Sequence, residues 1–323
     1  MSDRSSLSPQ VVVVGSHAPG LFVRVHRTPQ AGETVIGWDF QEPIDGGKGS
    51  NQAIAASRLG LRTSFVGCIG HDRLGEELKE WLQKERIDAR HLYTCKEKGT
   101  GIGFIILDDE GVPAMVTSMG ANEELNEKMV ERAIRDFADA RILLTQFEIR
   151  PEVALHAARV ARQNGLLTIV NPAPARDIPL ASLDVSDILI PNEIEAQNLL
   201  GDEDMTDDVE SMARKLRTQS GAGCVIITLG SKGIVGVDSA GLWRIPPPTV
   251  NVIDTSGAGD VYCAALAAGI IYGHNYRVAS EWACKVAALS VTRQGSIPSF
   301  PMLEEADQFV RETLVTEATR SDR

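Results

Sequence analysis

Short runs of β-branched and aliphatic residues alternate with stretches of helical spacing along most of the chain, and this alternation restricts the possible folds more than any other feature. The run Val11–Val14 ends on Gly15 and reads as a buried strand closed by a turn. Further β-rich runs cover 63–69, 141–145, 166–170, 187–190 and 224–229. Helical patterning occupies 51–59, closed by Gly60, then 75–86, 151–164 and 207–218. Strands and helices in this order predict a mostly parallel sheet covered by helices on both faces, an α/β/α arrangement of three layers.

Two regions interrupt the alternation. Residues 21–41 hold short β-like pieces around Gly32 and Gly37 with no helix between them, and 101–107 with 112–118 form a hairpin pattern turning through Asp108-Asp109-Glu110-Gly111. We expect a small β lid from these segments, its strands within 21–43 and 101–118. Beyond 257 the chain becomes rich in Ala and Gly, with helical segments at 257–272 and 276–293, and small side chains there permit close packing. The expected organisation is one domain over 11–311, a disordered polar segment at 1–10 and a frayed polar tail at 312–323.

Composition excludes several functional classes. With 323 residues, 43% of them hydrophobic, the chain can bury one large core. Its net charge of -12, with no Lys/Arg-rich block, argues against nucleic acid or an anionic membrane as partner. The five cysteines are scattered without a C-x-x-C pair, against a disulfide framework or a zinc site. The four-residue run at Val11 is too short for a signal or membrane segment. A cytoplasmic protein is expected.

The strongest chemical signal is Asp254-Thr255-Ser256-Gly257-Ala258-Gly259-Asp260, entering a helix. Two glycines and an alanine at a helix start leave backbone N–H groups unobstructed, and with the helix dipole they can stabilise an anion on a transferred phosphoryl group. Asp260, in the first turn, is placed to take a proton from an attacking hydroxyl. Taken alone, the same residues also fit a capped helix after a tight turn. A second Gly-rich loop, Gly46-Gly47-Lys48-Gly49-Ser50-Asn51-Gln52, is not a Walker A loop, because Gly49 stands where Ser or Thr would hold magnesium. Its glycines allow close backbone approach, and Lys48 and Asn51 offer hydrogen bonds to a polyhydroxyl ligand. No G-x-G-x-x-G, H-E-x-x-H or G-x-S-x-G motif is present.

Together with Asn171-Pro172-Ala173-Pro174-Ala175-Arg176, Pro191-Asn192-Glu193-Ile194-Glu195, Thr228-Leu229-Gly230-Ser231-Lys232-Gly233 and Val291-Thr292-Arg293-Gln294-Gly295-Ser296-Ile297-Pro298-Ser299, these two loops carry a resemblance. In this order and over nearly the full length, the chain resembles the ribokinase family, also called the PfkB carbohydrate kinases. The resemblance implies a ribokinase-like fold with a β lid and ATP-dependent phosphorylation of a primary hydroxyl on a small sugar. It implies Asp260 as base, with the N–H groups of Gly257, Ala258 and Gly259 as anion hole. Gly46, Gly47, Lys48, Asn51 and Glu148 would line the sugar pocket. Asn192, Thr228, Gly230, Ser231, Lys232 and Gly233 would border the nucleotide with Ala258 and Gly259, and Cys284 would lie near the adenine. Asn192 and Glu195 would serve magnesium and phosphate placement, Glu195 indirectly. Asp254, Ser256, Ser290, Arg293, Gly295 and Ser299 match a potassium loop, largely through backbone carbonyls. A homodimer joined through the lid strands is also implied.

The match fails after the first strand. Members acting on ribose carry an Asn and an Asp there that hold ribose hydroxyls, and Ala18 and Gly20 occupy those positions here. A buried hydroxyl that loses its partner costs about 1–3 kcal/mol. Ribose is therefore one candidate among several acceptors, with His17 as one possible compensation. A nucleoside kinase on the same scaffold and a non-catalytic sugar sensor are the alternatives; the intact Asp260 and its glycines favour an enzyme.

Overall fold

The computed structural model describes residues 8–42, 45–110, 113–201 and 208–321. Its strands are β1 (Val11–Val14), β2 (Gly20–Val25), β3 (Gly37–Gln41), β4 (Thr63–Gly70), β5 (Leu92–Cys95), β6 (Ile102–Leu107), β7 (Pro113–Ser118), β8 (Ile142–Gln146), β9 (Leu167–Asn171), β10 (Ile188–Leu189), β11 (Cys224–Thr228), β12 (Ile234–Asp238) and β13 (Gly241–Ile245). Its α-helices are α1 (Gly47–Arg58), α2 (Arg73–Lys84), α3 (Glu127–Asp136), α4 (Pro151–Gln163), α5 (Glu193–Leu200), α6 (Val209–Ser220), α7 (Ala258–Ile271), α8 (Tyr276–Ser290) and α9 (Leu303–Ser321).

The main sheet runs β13-β12-β11-β10-β9-β8-β1-β4-β5. Its pairs from β5 across to β11 are parallel, and β12 and β13 close one edge antiparallel. The four valines of β1 show why a strand here must be apolar throughout. Val11 and Val13 enter one core with residues of α1, α7 and α8, while Val12 and Val14 enter the opposite core with residues of α3, α4 and α6. This is the three-layer α/β/α fold expected from the alternation. The lid is a separate sheet, β3-β2-β6-β7, with β2 and β6 parallel and both outer pairs antiparallel.

Two boundaries differ from the sequence reading. Helix α1 begins at Gly47 rather than near 51, so the Gly-rich loop is itself the first helical turn. No side chain of its own caps it; the Glu148 carboxylate accepts from Lys48 N at 2.8 Å instead. That long-range contact carries no local signal. Helix α9 continues to Ser321, through most of the tail expected to fray from 312. The expected disordered start at 1–10 falls largely on residues outside those described, as does Gly111 of the expected turn at 108–111. Among the described residues no helix is long and apolar enough to cross a membrane.

The sheet order places the site. Strand β1 is flanked by β4 on one side and β8 on the other, so successive connections diverge there and open a crevice at the carboxyl ends of the strands. Gly15 and Ser16 leave β1 at that end, and Phe147 and Glu148 leave β8. Helices α1 and α7 both start above it.

Candidate active site

Asp260 lies in the first turn of α7 and is only 7% exposed. Its Oδ2 accepts from Asn51 Nδ2 at 3.1 Å and its Oδ1 from Gln52 Nε2 at 3.0 Å. Gln52 is held in turn by Asn171 Oδ1 at 3.2 Å and by the amide of Gln146, and Asn171 donates to Ile190 O at 2.7 Å. A buried chain of amides from α1, β8 and β9 thus fixes the carboxylate from below. Burial raises the Asp260 pKa to about 6, against the nearby Lys48 charge and the two amide donors, with Glu148 adding to the rise. Lys48 responds in the opposite sense: burial works to lower its pKa, but the carboxylates of Asp260, Glu148 and Glu195 prevail and keep it raised and charged.

Of the two glycines before Asp260, Gly257 is required by geometry. Gly257 caps α7 with φ +74°, and a Cβ there would meet the Phe300 ring at 2.7 Å. A Cβ at Gly259 would meet nothing within 4 Å, so this residue presents bare backbone to open space. Among the described residues the N–H groups of Gly257 and Gly259 have no acceptor, whereas Ala258 N reaches Thr255 O at 3.3 Å. Ala258 is therefore the one expected anion-hole member whose N–H is already engaged, and weakly.

Gly46, Gly47, Lys48, Asn51 and Glu148 come together as expected. Glu148 Oε2 accepts from Ser16 Oγ at 2.7 Å as well as from Lys48 N, and a Cβ on Gly47 would press on that oxygen at 3.0 Å. Sequence reasoning missed Gln52 and Asp45. Asp45 Oδ1 accepts from Gly46 N at 2.9 Å and from Asn51 Nδ2 at 2.8 Å. Gln52 belongs to the Gly-rich loop motif, but nothing local shows that its amide reaches α7.

His17 does not replace the missing polar side chains. Its ring is buried, with Nδ1 3.0 Å from Ser50 Oγ and its edge toward Trp81, and burial drives its pKa down to about 4 against the contacts at Gly46 and Leu74 and the charge of Asp72. It is a neutral core residue.

On the far side, Asn192 and Glu195 form a reciprocal capping box at the start of α5: Glu195 N donates to Asn192 Oδ1 at 2.7 Å and Asn192 N to Glu195 Oε2 at 2.8 Å. One Glu195 oxygen is thus committed to the helix. Burial pushes its carboxyl up, against the Asn192 N–H and the Lys48 charge. Thr228 N donates to Pro191 O at 3.0 Å, which joins this pair to the Thr228–Gly233 segment. Within that segment Gly233 has φ +85° and a Cβ there would strike Ile245 O at 2.0 Å, while Gly230, Ser231 and Lys232 are exposed. Cys284 is buried in the core with residues of α7, and burial, with Glu281 nearby, raises its thiol pKa to about 12.

The residues matched to a potassium loop also gather. Asp254 accepts from Ser256 N at 2.9 Å, Gly295 N at 2.9 Å and Gln294 Nε2 at 3.0 Å. Burial works to raise its pKa, but the backbone and hydroxyl of Ser256 and the Gly295 N–H prevail and hold it below the usual carboxylate range. Ser290 and Ser299 donate to the carbonyls of Ala287 and Ser296, and Arg293 pairs with Glu305 at 2.8 Å. The Arg293 side chain is spent within the protein, whereas the two serine hydroxyls donate and keep their acceptor lone pairs. A cleft of about 820 Å³ beside the lid, lined by residues including Lys98, Thr117, Met119 and Arg176, contains none of the groups around Asp260.

Comparison with known proteins adds the family. The model for pfkB family carbohydrate kinase matches residues 10–303. The ribokinase of Haemophilus influenzae is 34% identical over 301 residues, covering 93% of this chain and 98% of that protein. The solved ribokinase of Giardia lamblia superposes with a TM-score of 0.85 at 28% identity, over 95% of this chain and 99% of its own. The Arabidopsis thaliana ribokinase, solved in complex with ribose and ATP, gives 0.83 at 28% identity over 94% and 99%. With the match running from β1 to the first residue of α9, the chain belongs to the pfkB family of carbohydrate kinases and is a phosphotransferase whose acceptor is an alcohol.

Proposed function

We propose that this chain transfers the γ-phosphoryl group of ATP to a primary hydroxyl of a small sugar, with Asp260 as base. One observation carries the reading: a buried carboxylate, held at both oxygens by Asn51 and Gln52, stands at the start of α7 beside the unpaired N–H groups of Gly257 and Gly259. The acceptor hydroxyl gives its proton to Asp260 as its oxygen bonds to the γ-phosphorus. The bond from that phosphorus to the β–γ bridging oxygen breaks, and ADP leaves. Negative charge on the transferred group is met by the N–H groups of Gly257 and Gly259 and by the α7 dipole. Lys48, held charged by its three carboxylate neighbours, helps keep Asp260 ionised and faces the same charge. Gly46, Gly47, Asn51 and Glu148 line the sugar side, and Asn192 with the Thr228–Gly233 segment borders the nucleotide.

No group of three or more His, Cys, Asp or Glu among the described residues could hold a metal alone. That donor set fits magnesium carried mainly on nucleotide phosphates, with the half-buried carboxylate of Glu195 as the nearby protein anion. Bound there, magnesium would neutralise phosphate charge. A potassium ion in the Asp254, Ser256, Ser290, Arg293, Gly295 and Ser299 loop would be held by carbonyls and would order the backbone leading into Gly257. The lid exposes Ile36, Phe40, Met115 and Val116 at 84%, 62%, 67% and 68%, an apolar surface that supports a homodimer through the lid. A cytoplasmic setting fits five free cysteines.

Ribose and its near relatives are the first acceptors to test, since the named relatives are ribokinases. Coupled ADP release against pentoses, hexoses, sugar alcohols and nucleosides, with and without potassium, is expected to show sugar-dependent turnover that potassium increases. A sugar that binds while no acceptor releases ADP would make the protein a sensor instead.

A further inference from the structure

The loss of polar side chains at positions 18 and 20 leaves a gap in chemistry but not in space. Gly20 opens β2, is buried and has an ordinary backbone conformation, since it is not among the positive-φ residues. A Cβ built on it would lie 3.6 Å from Asp45 Oδ2. The volume beside Gly20 therefore faces a carboxylate that arrives from another segment, immediately before the Gly46–Gln52 loop. The register of that carboxylate is fixed from its other oxygen, Oδ1, which accepts from Gly46 N and from Asn51 Nδ2. Among the described residues no hydrogen bond reaches Oδ2.

The position is tied directly to the reacting centre. The same Asn51 nitrogen lies 2.8 Å from Asp45 Oδ1 and 3.1 Å from Asp260 Oδ2. One amide thus spans the two carboxylates, a separation that a single sugar bridges with one hydroxyl at each end. Ala18 belongs to the same wall, since its N donates to Gly46 O at 2.8 Å.

Building on the kinase reading above, we propose that Asp45 is the acceptor-specificity carboxylate of this protein, its Oδ2 accepting a hydrogen bond from a sugar hydroxyl remote from the one phosphorylated. The preferred acceptors are then polyols with a free hydroxyl at that remote position. A carboxylate is thus delivered to this wall from the entry to α1, and the small residues at 18 and 20 leave room for it.

The test moves the carboxylate. D-ribose, 2-deoxy-D-ribose and D-fructose are assayed with the wild type, and the one with the highest kcat/KM is the probe. Asp45→Ala is expected to raise the probe's KM about 10- to 100-fold, as for loss of a charge-assisted hydrogen bond, with kcat changed less than about threefold. The KM for ATP is expected to stay put. Adding Gly20→Asp to Asp45→Ala returns a carboxylate to the same space, with only the flexible end of Ile105 to displace at 3.3 Å. At least a tenfold recovery in KM is expected from that double variant. A purely structural role, in which Asp45 only orders Gly46 and Asn51, would not be rescued from position 20. Wild-type turnover with an unchanged KM in Asp45→Ala, or without rescue by Gly20→Asp, overturns the inference alone. No turnover of any of the three sugars by the wild type overturns the kinase reading and this inference with it.

Discussion

The two ends of the site are built on different terms. At the base end Asp260 is held by amides from α1, which are braced by β8 and β9, and the backbone ahead of it allows no side chain at Gly257. At the proposed acceptor end the wall includes Ala18, Gly20 and the carboxylate of Asp45, approached from a loop. The first end is over-determined, so one substitution there disturbs several partners at once. The second depends on few contacts, which leaves the acceptor free to change while the transfer chemistry is kept.

The largest effect is expected from Asp260→Asn, which should lower kcat about 100- to 10,000-fold and leave the KM for ATP within about threefold, by steady-state ADP release. Its fold should survive. Raising an aspartate from 3.8 to about 6 means that the folded state prefers the protonated form. That stability is fully present below 3.8 and lost as pH rises through 6, a difference of about 3 kcal/mol. Asparagine stays neutral, so thermal melts above pH 6 should find the variant no less stable than wild type. A marked loss of stability would mean that Asp260 is mainly a structural group. Next comes Gly257→Ala, which forces a side chain onto φ +74° and against Phe300. It should cost about 1–3 kcal/mol in denaturant unfolding and about 100-fold in kcat, because the N–H groups before Asp260 would be re-aimed. Full activity in this variant would remove the anion hole from the account.

Much of this was legible in the residues. The strand and helix alternation predicts the three-layer sheet because a buried parallel strand such as Val11–Val14 must be apolar on both faces. The Gly257 to Asp260 segment is readable because a bare helix start followed by a carboxylate is itself the chemical device. What local pattern does not reveal are the contacts made across the fold. Glu148 caps α1 from 100 residues away, and Gln52 reaches Asp260 across 208 positions. His17, which the sequence offers as a pocket residue, turns into the core because α2 packs over it through Trp81. Asn192 and Glu195 show the reverse case, where a motif tied to metal and phosphate by resemblance is also an ordinary capping box. Asp45 carries no signal in the sequence because it belongs to no repeating pattern and acquires meaning only beside Gly20.

The smallest expected change is also the most direct test of the central claim, that transfer requires Asp260 in its ionised form. The pH profile of kcat/KM for the best sugar should fall on the acid side with a limb near pH 6, matching the raised pKa of a buried carboxylate. Lys48 favours the ionised form, so in Lys48→Met the limb should move above 6, whatever happens to the maximum rate. A wild-type profile flat down to pH 4.5, or a limb that moves to lower pH in Lys48→Met, would contradict the account.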